Sequence, residues 1–141
     1  MRNLIIIVLL FTSSIVVAQE DYRVEYQNIL SQECSFKKDD STDERNLSWG
    51  CTKEKTEQLL VFLNKLEEHL KSVMSSDSTK LNAYNKYKSA WENYYASTKE
   101  FDFEFHNPGS SGTGLRLKSE QNAVKQRVEI LISYLMDFYV L

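Results

Sequence analysis

Residues 84–101 read YNKYKSAWENYYASTKEF, and the spacing of their large side chains indicates the kind of fold to expect. Steps of three and four residues separate the members of one stripe, which are Tyr84, Tyr87, Trp91, Tyr94, Thr98 and Phe101. Such spacing places side chains on one face of an α-helix, and an aromatic stripe of this kind usually belongs to a core. Tyr and Trp also need partners for their polar atoms, so they favour the edge of a core, where a binding surface can use them. We predict a helix from about 79 to 103.

Helical periodicity continues on both sides of this segment. From 43 to 74 the stripe is Leu59, Phe62, Leu63, Leu66, Leu70 and Val73. From 115 to 140 it is Leu117, Gln121, Val124, Val128, Leu131, Leu135 and Phe138. A shorter helical pattern covers 22–33, and the chain has only 4 Gly and 1 Pro to interrupt helices. We therefore predict an all-α fold, a small helical bundle of three long helices plus a short N-terminal helix.

The N-terminus has the features of a secretory signal peptide. Arg2 supplies a positive charge, 4–11 is an unbroken apolar run, and Val16 and Ala18 fit the −3 and −1 positions of a cleavage site. The prediction is a signal peptide at 1–18, a helical domain at 19–141 and a periplasmic or secreted location. An uncleaved anchor is the alternative, although the apolar stretch is short of the roughly 20 residues that a membrane span needs. After cleavage no membrane span is expected.

Both cysteines lie in the exported part of the chain. An oxidising compartment makes a disulfide between Cys34 and Cys51 the first expectation, and two free thiols the alternative. Such a bridge would stabilise the fold by about 3 kcal/mol in the chain-entropy model. It would tie the short N-terminal helix to the start of the next helix.

The composition excludes several functions. The net charge is −3, and loss of Arg2, the one charge in residues 1–18, makes it −4. An acidic chain of this kind is not expected to bind nucleic acid, and it suits a basic protein partner, although mild acidity is also ordinary among soluble proteins. Two Cys and two His are too few for a typical structural zinc site, and no metal or other cofactor is expected.

Motifs for catalysis are absent from the sequence. There is no GxSxG, HExxH or Walker sequence, so no catalytic residues are predicted and the protein is expected not to be an enzyme. Glu67, Glu68 and His69 lack a second His four residues on, and we interpret them as a solvated charged face rather than a metal site.

The stretch from 104 to 114, EFHNPGSSGTG, contains the single Pro and three of the four Gly. It predicts a long loop between two helices, and long ordered loops are often functional. The candidate partner-binding residues in this loop are Glu104, His106, Asn107, Ser110 and Ser111. The alternative is a solvated loop that only joins the two helices.

Several of these segments together resemble the LprI-like lysozyme-inhibitor family over about 34–135. The matching features are Lys88-Ser89-Ala90-Trp91, Tyr94, the loop with Gly109 to Gly114, Val124-x-x-Arg127, Cys51 and Leu63-Asn64. The chain departs from the family at five positions. Tyr95-Ala96 stand in place of an Arg-Asp pair, Lys99 and Ser119 stand in place of a second cysteine pair, and Val124 stands in place of the Thr of a T-x-x-R motif.

The resemblance implies a small exported helical protein that binds and inhibits lysozyme without being an enzyme, with Trp91 and Arg127 as family-motif core residues. Its partner would be a lysozyme. The departures favour an alternative, in which the chain is a cell-envelope binding module or an immunity-type protein for another hydrolase or envelope component.

Overall fold

The computed structural model describes residues 21–35, 44–106 and 110–140, with the side chains of 44–46, 110–111 and 138–140 left out. Helix α1 covers 21–31, α2 Glu44–Val73, α3 Ser78–Phe105 and α4 Ser110–Val140. These ranges contain no strand, so the predicted all-α fold is confirmed for the described part of the chain. The predicted signal peptide at 1–18 lies outside it.

Helices α2 and α4 run parallel and form the centre of the bundle. Trp49 lies against Gly114 near the start of both helices, and Glu67 bonds Arg127 much further along both. The core between them contains most of the predicted apolar stripes. Its fully buried members include Leu59, Phe62, Leu63, Leu66, Leu70, Val124, Val128, Leu131 and Leu135.

Helices α1 and α3 lie on opposite sides of this central pair. The Tyr26 hydroxyl of α1 donates to Glu129 Oε1 at 2.8 Å, whereas Tyr87 of α3 covers the side chain of Arg127. Residues two apart on an α-helix point about 200° apart, so the two flanking helices contact opposite faces of α4. Both run antiparallel to the central helices.

The predicted disulfide between Cys34 and Cys51 is present, with the two Cα atoms 5.4 Å apart. It joins the chain three residues beyond the end of α1 to the third turn of α2. Polar contacts also hold α1 in place. Lys55 Nζ donates to the backbone oxygen of Leu30 at 2.7 Å, and Lys65 Nζ to Glu25 Oε2 at 2.6 Å.

The long loop predicted at 104–114 is wrong. Helix α3 continues to Phe105 and α4 already begins at Ser110, so most of the stretch is helical. A Gly inside a helix costs about 1 kcal/mol relative to Ala, which is why the sequence suggested a loop. Packing explains Gly114, because a Cβ there would lie 2.8 Å from Trp49 Nε1. Tertiary contact has overridden local propensity.

The aromatic stripe of α3 is core only in its first half. Tyr84 is buried and Tyr87 and Trp91 are half-buried, but Tyr94 and Phe101 are mainly exposed. The prediction of a core stripe from 84 to 101 is therefore wrong beyond Trp91. Among the described helices α3 packs mainly against α4, and a single neighbour does not cover a full helical face.

Candidate functional site

The predicted partner-binding residues lie around the turn from α3 to α4. Glu104 is exposed in the last turn of α3, and His106 caps that helix with its backbone N–H donating to Asp102 O at 3.1 Å. Ser110 and Ser111 begin α4, but their side chains are not described, and Asn107 lies outside the described residues. Of the five, only Glu104 and His106 have side chains that the structure describes.

Exposed aromatic side chains surround these residues. We call Phe101, Phe103, Phe105 and Leu115 the aromatic tip, and each is more than half exposed, Phe105 to 70%. The rings of Phe101 and Phe105 stack with centroids 5.3 Å apart, and the Arg116 guanidinium lies 5.1 Å from the Phe103 centroid. Exposed apolar side chains that lie side by side, as Phe101 and Phe105 do, mark interaction surfaces in soluble proteins.

Acidic residues alternate with the Phe residues of the tip. Residues 100–105 read EFDFEF, and Glu100 and Glu104 are exposed, while Asp102 is half-buried. Asp102 Oδ1 lies 4.0 Å from His106 Nε2. The tip therefore presents apolar rings and carboxylates together. Phe103 and Phe105 were not among the site residues predicted from the sequence. The alternation of Phe with acidic residues at the end of a helix was the signal that could have indicated them.

The two family-motif residues meet in the interior, among three helices. Arg127 of α4 is completely buried, and its guanidinium carbon lies 4.3 Å from the Tyr87 centroid and 5.3 Å from the Trp91 centroid. Arg127 Nη2 lies 3.4 Å from Glu67 Oε1. Lys88 Nζ bonds the other oxygen of Glu67. We call Glu67, Lys88 and Arg127 the buried ion cluster.

The buried ion cluster corrects one prediction. Glu67 is not on a solvated face, because only 3% of its surface is exposed. His69 is half-buried, with its Nδ1 2.6 Å from the Tyr22 hydroxyl of α1, and only Glu68 is exposed. The hydrogen bond to Glu67 raises the pKa of Lys88, so the ammonium group of Lys88 stays charged. Closed to solvent at Arg127, it serves to join α2, α3 and α4.

A second polar link joins α3 and α4 nearer the tip. Glu120 Oε1 accepts from the Tyr95 hydroxyl at 2.6 Å and from Lys99 Nζ at 2.8 Å, and Tyr95 stacks on Trp91 with centroids 5.0 Å apart. Burial alone would raise the pKa of Glu120, but these two hydrogen bonds outweigh burial and lower it. The ion pair of Lys99 and Glu120 thus joins the two helices.

An apolar groove of about 720 Å³ lies at the opposite end of the bundle, between the end of α2, the start of α3 and the end of α4. Tyr84, Tyr87 and Tyr134 form much of its wall, together with Leu70 and Met74. The groove was not predicted from the sequence, where Tyr84 and Tyr87 were placed in one stripe and Tyr134 in none.

Two further properties concern the described residues alone. They contain no group of three or more His, Cys, Asp or Glu side chains arranged to hold a metal ion. None of their helices combines the length and the apolar character needed to cross a membrane.

No protein-family model, curated protein or solved structure matches this chain. The fold and the surface define a class instead, namely a disulfide-linked helical bundle with an exposed tip of aromatic and acidic side chains. What it binds is inferred from its own residues.

Proposed function

We propose that this chain is an exported, non-enzymatic protein that binds and inhibits a lysozyme in the periplasm or outside the cell. The supporting observation is the aromatic tip, which exposes three Phe rings at the end of α3. An inhibitor need only block a cleft, and exposed apolar rings at one end of a helix suit that task. Aromatic anchors supply most of the binding free energy at many protein interfaces.

The charge of the tip supports a basic partner. Glu100 and Glu104 are exposed beside Phe101 and Phe105, and the whole chain carries −3. Lysozymes of the animal type are basic proteins with acidic catalytic groups in a cleft. Opposite charge accelerates the encounter, and His106 at the end of α3 has a ring nitrogen that can donate a hydrogen bond to a carboxylate.

The resemblance to the LprI-like family adds support through Trp91 and Arg127. The sequence places these residues 36 positions apart on different segments, and in the fold they contact each other. A shared buried contact is a reason for both motifs to occur in one protein. It bears on fold ancestry more directly than on lysozyme binding.

Direct binding tests the proposal. The oxidised chain 19–141 is titrated calorimetrically with purified lysozymes of the animal c, animal g and invertebrate types, and hydrolysis of a soluble substrate is followed in parallel. We expect a complex with at least one type, and Phe105→Ala to weaken it at least about tenfold, as for an interface hot spot. Val61→Ala is the matched control, because Val61 is equally exposed, on α2. The proposal is refuted if none of the three lysozyme types forms a complex with the chain.

The second candidate is a binding module or immunity-type protein for another hydrolase or envelope component. Tyr95 favours it, because this ring and Glu120 form a helix–helix link where the lysozyme-inhibitor family has an Arg-Asp pair. The test is capture from periplasmic extract with the wild type and with Phe105→Ala. Repeated capture of one non-lysozyme protein by the wild type alone would favour this candidate.

The role of the disulfide is part of the same proposal. We infer that Cys34–Cys51 ties α1 onto the bundle, so that the exported protein stays folded outside the cell. The position of Cys34 three residues after α1 supports this role.

A further inference from the structure

A polar hollow of about 370 Å³ follows the seam between α3 and α4, on the side away from α2. Tyr94, Thr98, Asp102 and His106 form its α3 side, at steps of four residues. Asn122 and Gln126 are on its α4 side. We call this the seam hollow. It differs from the apolar groove at the other end of the bundle, because most of its lining side chains are polar.

The chemistry of the seam hollow combines a flat ring with side chains that both donate and accept. Tyr94 is 58% exposed although it is aromatic. Asn122 and Gln126 each carry an amide, and Thr98 carries a hydroxyl, so every one of them offers a donor and an acceptor. A ring face covers the apolar C–H face of a sugar, while amides and hydroxyls match the mixed donor and acceptor character of sugar hydroxyl groups.

These polar groups are available. Among the described residues none donates to or accepts from the side chains of Thr98, Asn122 or Gln126, whereas Tyr95 and Lys99 on the adjoining face of α3 are both bonded to Glu120. Side-chain amides of Asn122 and Gln126 are exposed. The hollow therefore has unused hydrogen-bonding capacity beside an exposed ring.

The length of the seam hollow and the charges that line it limit the kind of ligand that it can bind. Tyr94 and His106 are twelve residues apart, which is about 18 Å along a helix, more than one sugar ring occupies. One anion, Asp102, and one cation, Lys118, line the hollow, so the site has no excess charge to hold a polyanion. We infer that the seam hollow binds a short neutral oligosaccharide, with Tyr94 stacking on a sugar ring and Asn122 and Gln126 bonding its hydroxyl groups.

Titration of the whole exported chain with neutral tetrasaccharides tests the inference without any lysozyme, so its outcome is independent of the proposed function. The probes are N-acetylchitotetraose, cellotetraose and maltotetraose, followed by backbone amide shifts and calorimetry. We expect at least one to bind at millimolar concentration or below and to shift amides of 94–106 and 118–126. Tyr94→Ala should weaken that binding at least about tenfold, and Tyr94→Phe, which keeps the ring, less than about threefold.

Tyr134→Ala is the matched control, because Tyr134 is an exposed tyrosine of the apolar groove at the other end of the bundle. The Tyr134→Ala variant should bind the tetrasaccharide with the same affinity as the wild type. Circular dichroism establishes that each variant is folded. The inference is overturned if no neutral tetrasaccharide binds, if Tyr94→Ala leaves the affinity unchanged, or if a heparin tetrasaccharide binds while the neutral ones do not.

Discussion

Arg127 and Glu67 form a buried charge pair, in which each side chain depends on the other to balance its charge. Glu67→Gln would leave Arg127 without a carboxylate in the interior, whereas Lys88 keeps Glu92 at 3.6 Å, and we expect the free energy of unfolding to fall by about 3 kcal/mol. Combining it with Arg127→Met removes the orphaned charge and should recover part of that loss. Urea unfolding gives both values.

The control for this pair is Glu57→Gln. Glu57 lies on the exposed side of α2 and, among the described residues, pairs with Lys53 alone at 4.0 Å, so its loss should change stability by less than about 0.5 kcal/mol. The variant that combines Glu67→Gln with Arg127→Met is compared with the two single variants. If its loss of unfolding free energy equals the sum of their losses, Glu67 and Arg127 are not coupled.

His69 makes the docking of α1 sensitive to pH. Burial lowers the pKa of His69 below the ordinary 6.5, so the unfolded chain binds a proton more readily than the folded chain. Its contribution to stability is present above pH 6.5 and is lost as the pH falls through the lowered pKa. Thermal unfolding at pH 5 to 7.5 should show a drop on acidification that His69→Gln reduces. His106→Gln, which keeps His69, serves as the control, and an identical slope in His69→Gln would contradict the assignment.

At the scale of elements, the contact between α2 and α4 depends on the missing side chain at Gly114. Alanine has the better helix propensity by about 1 kcal/mol, yet a Cβ at 2.8 Å from Trp49 Nε1 should make Gly114→Ala destabilising by about 1–3 kcal/mol. In a Trp49→Phe background the obstructing nitrogen is gone, and the same change should cost less or become stabilising. Midpoints of thermal unfolding for the four proteins decide this.

Helix α1 is the element most dependent on a covalent link. Cys34→Ser with Cys51→Ser opens a loop with a sequence separation of 17, which should lower the unfolding free energy by about 3 kcal/mol. Amide exchange should accelerate first in 21–31, while α2 to α4 remain protected. Unchanged protection of α1 would mean that the Tyr26–Glu129 and Lys55–Leu30 bonds suffice to hold it.

For the whole molecule, net charge predicts how a complex with a basic lysozyme responds to salt. The association rate constant should fall about tenfold between 50 and 500 mM salt, because screening weakens long-range attraction. Phe105→Ala should act mainly on the dissociation rate constant, since apolar burial does not steer encounter. Stopped-flow or surface-based kinetics separate the two, and a salt-independent association rate would argue against an electrostatic role for the acidic residues.

The sequence predicts α2 and α4 well because their apolar stripes are uniform and become buried against each other. It predicts α3 less well, because tyrosine and phenylalanine suit a core and a surface equally. Glu67 was detectable, since Leu63, Glu67 and Leu70 follow helical spacing, as Val124, Arg127 and Leu131 do on α4. The helical state of Gly112 and Gly114 was not, because the close approach of Trp49 to Gly114 joins residues 65 positions apart and leaves no local sequence signal.

The positions of the two Trp residues give the protein two natural fluorescent reporters. Trp49 lies against Gly114 where α2 and α4 begin. Trp91 of α3 lies between Tyr95 of the same helix and Arg127 of α4. A cationic guanidinium beside an indole alters its emission. Separation of α3 from the bundle and separation of α2 from α4 should therefore change fluorescence at different wavelengths. Replacing either indole by Phe leaves one emitter, and the order in which the bundle opens can then be watched without a dye.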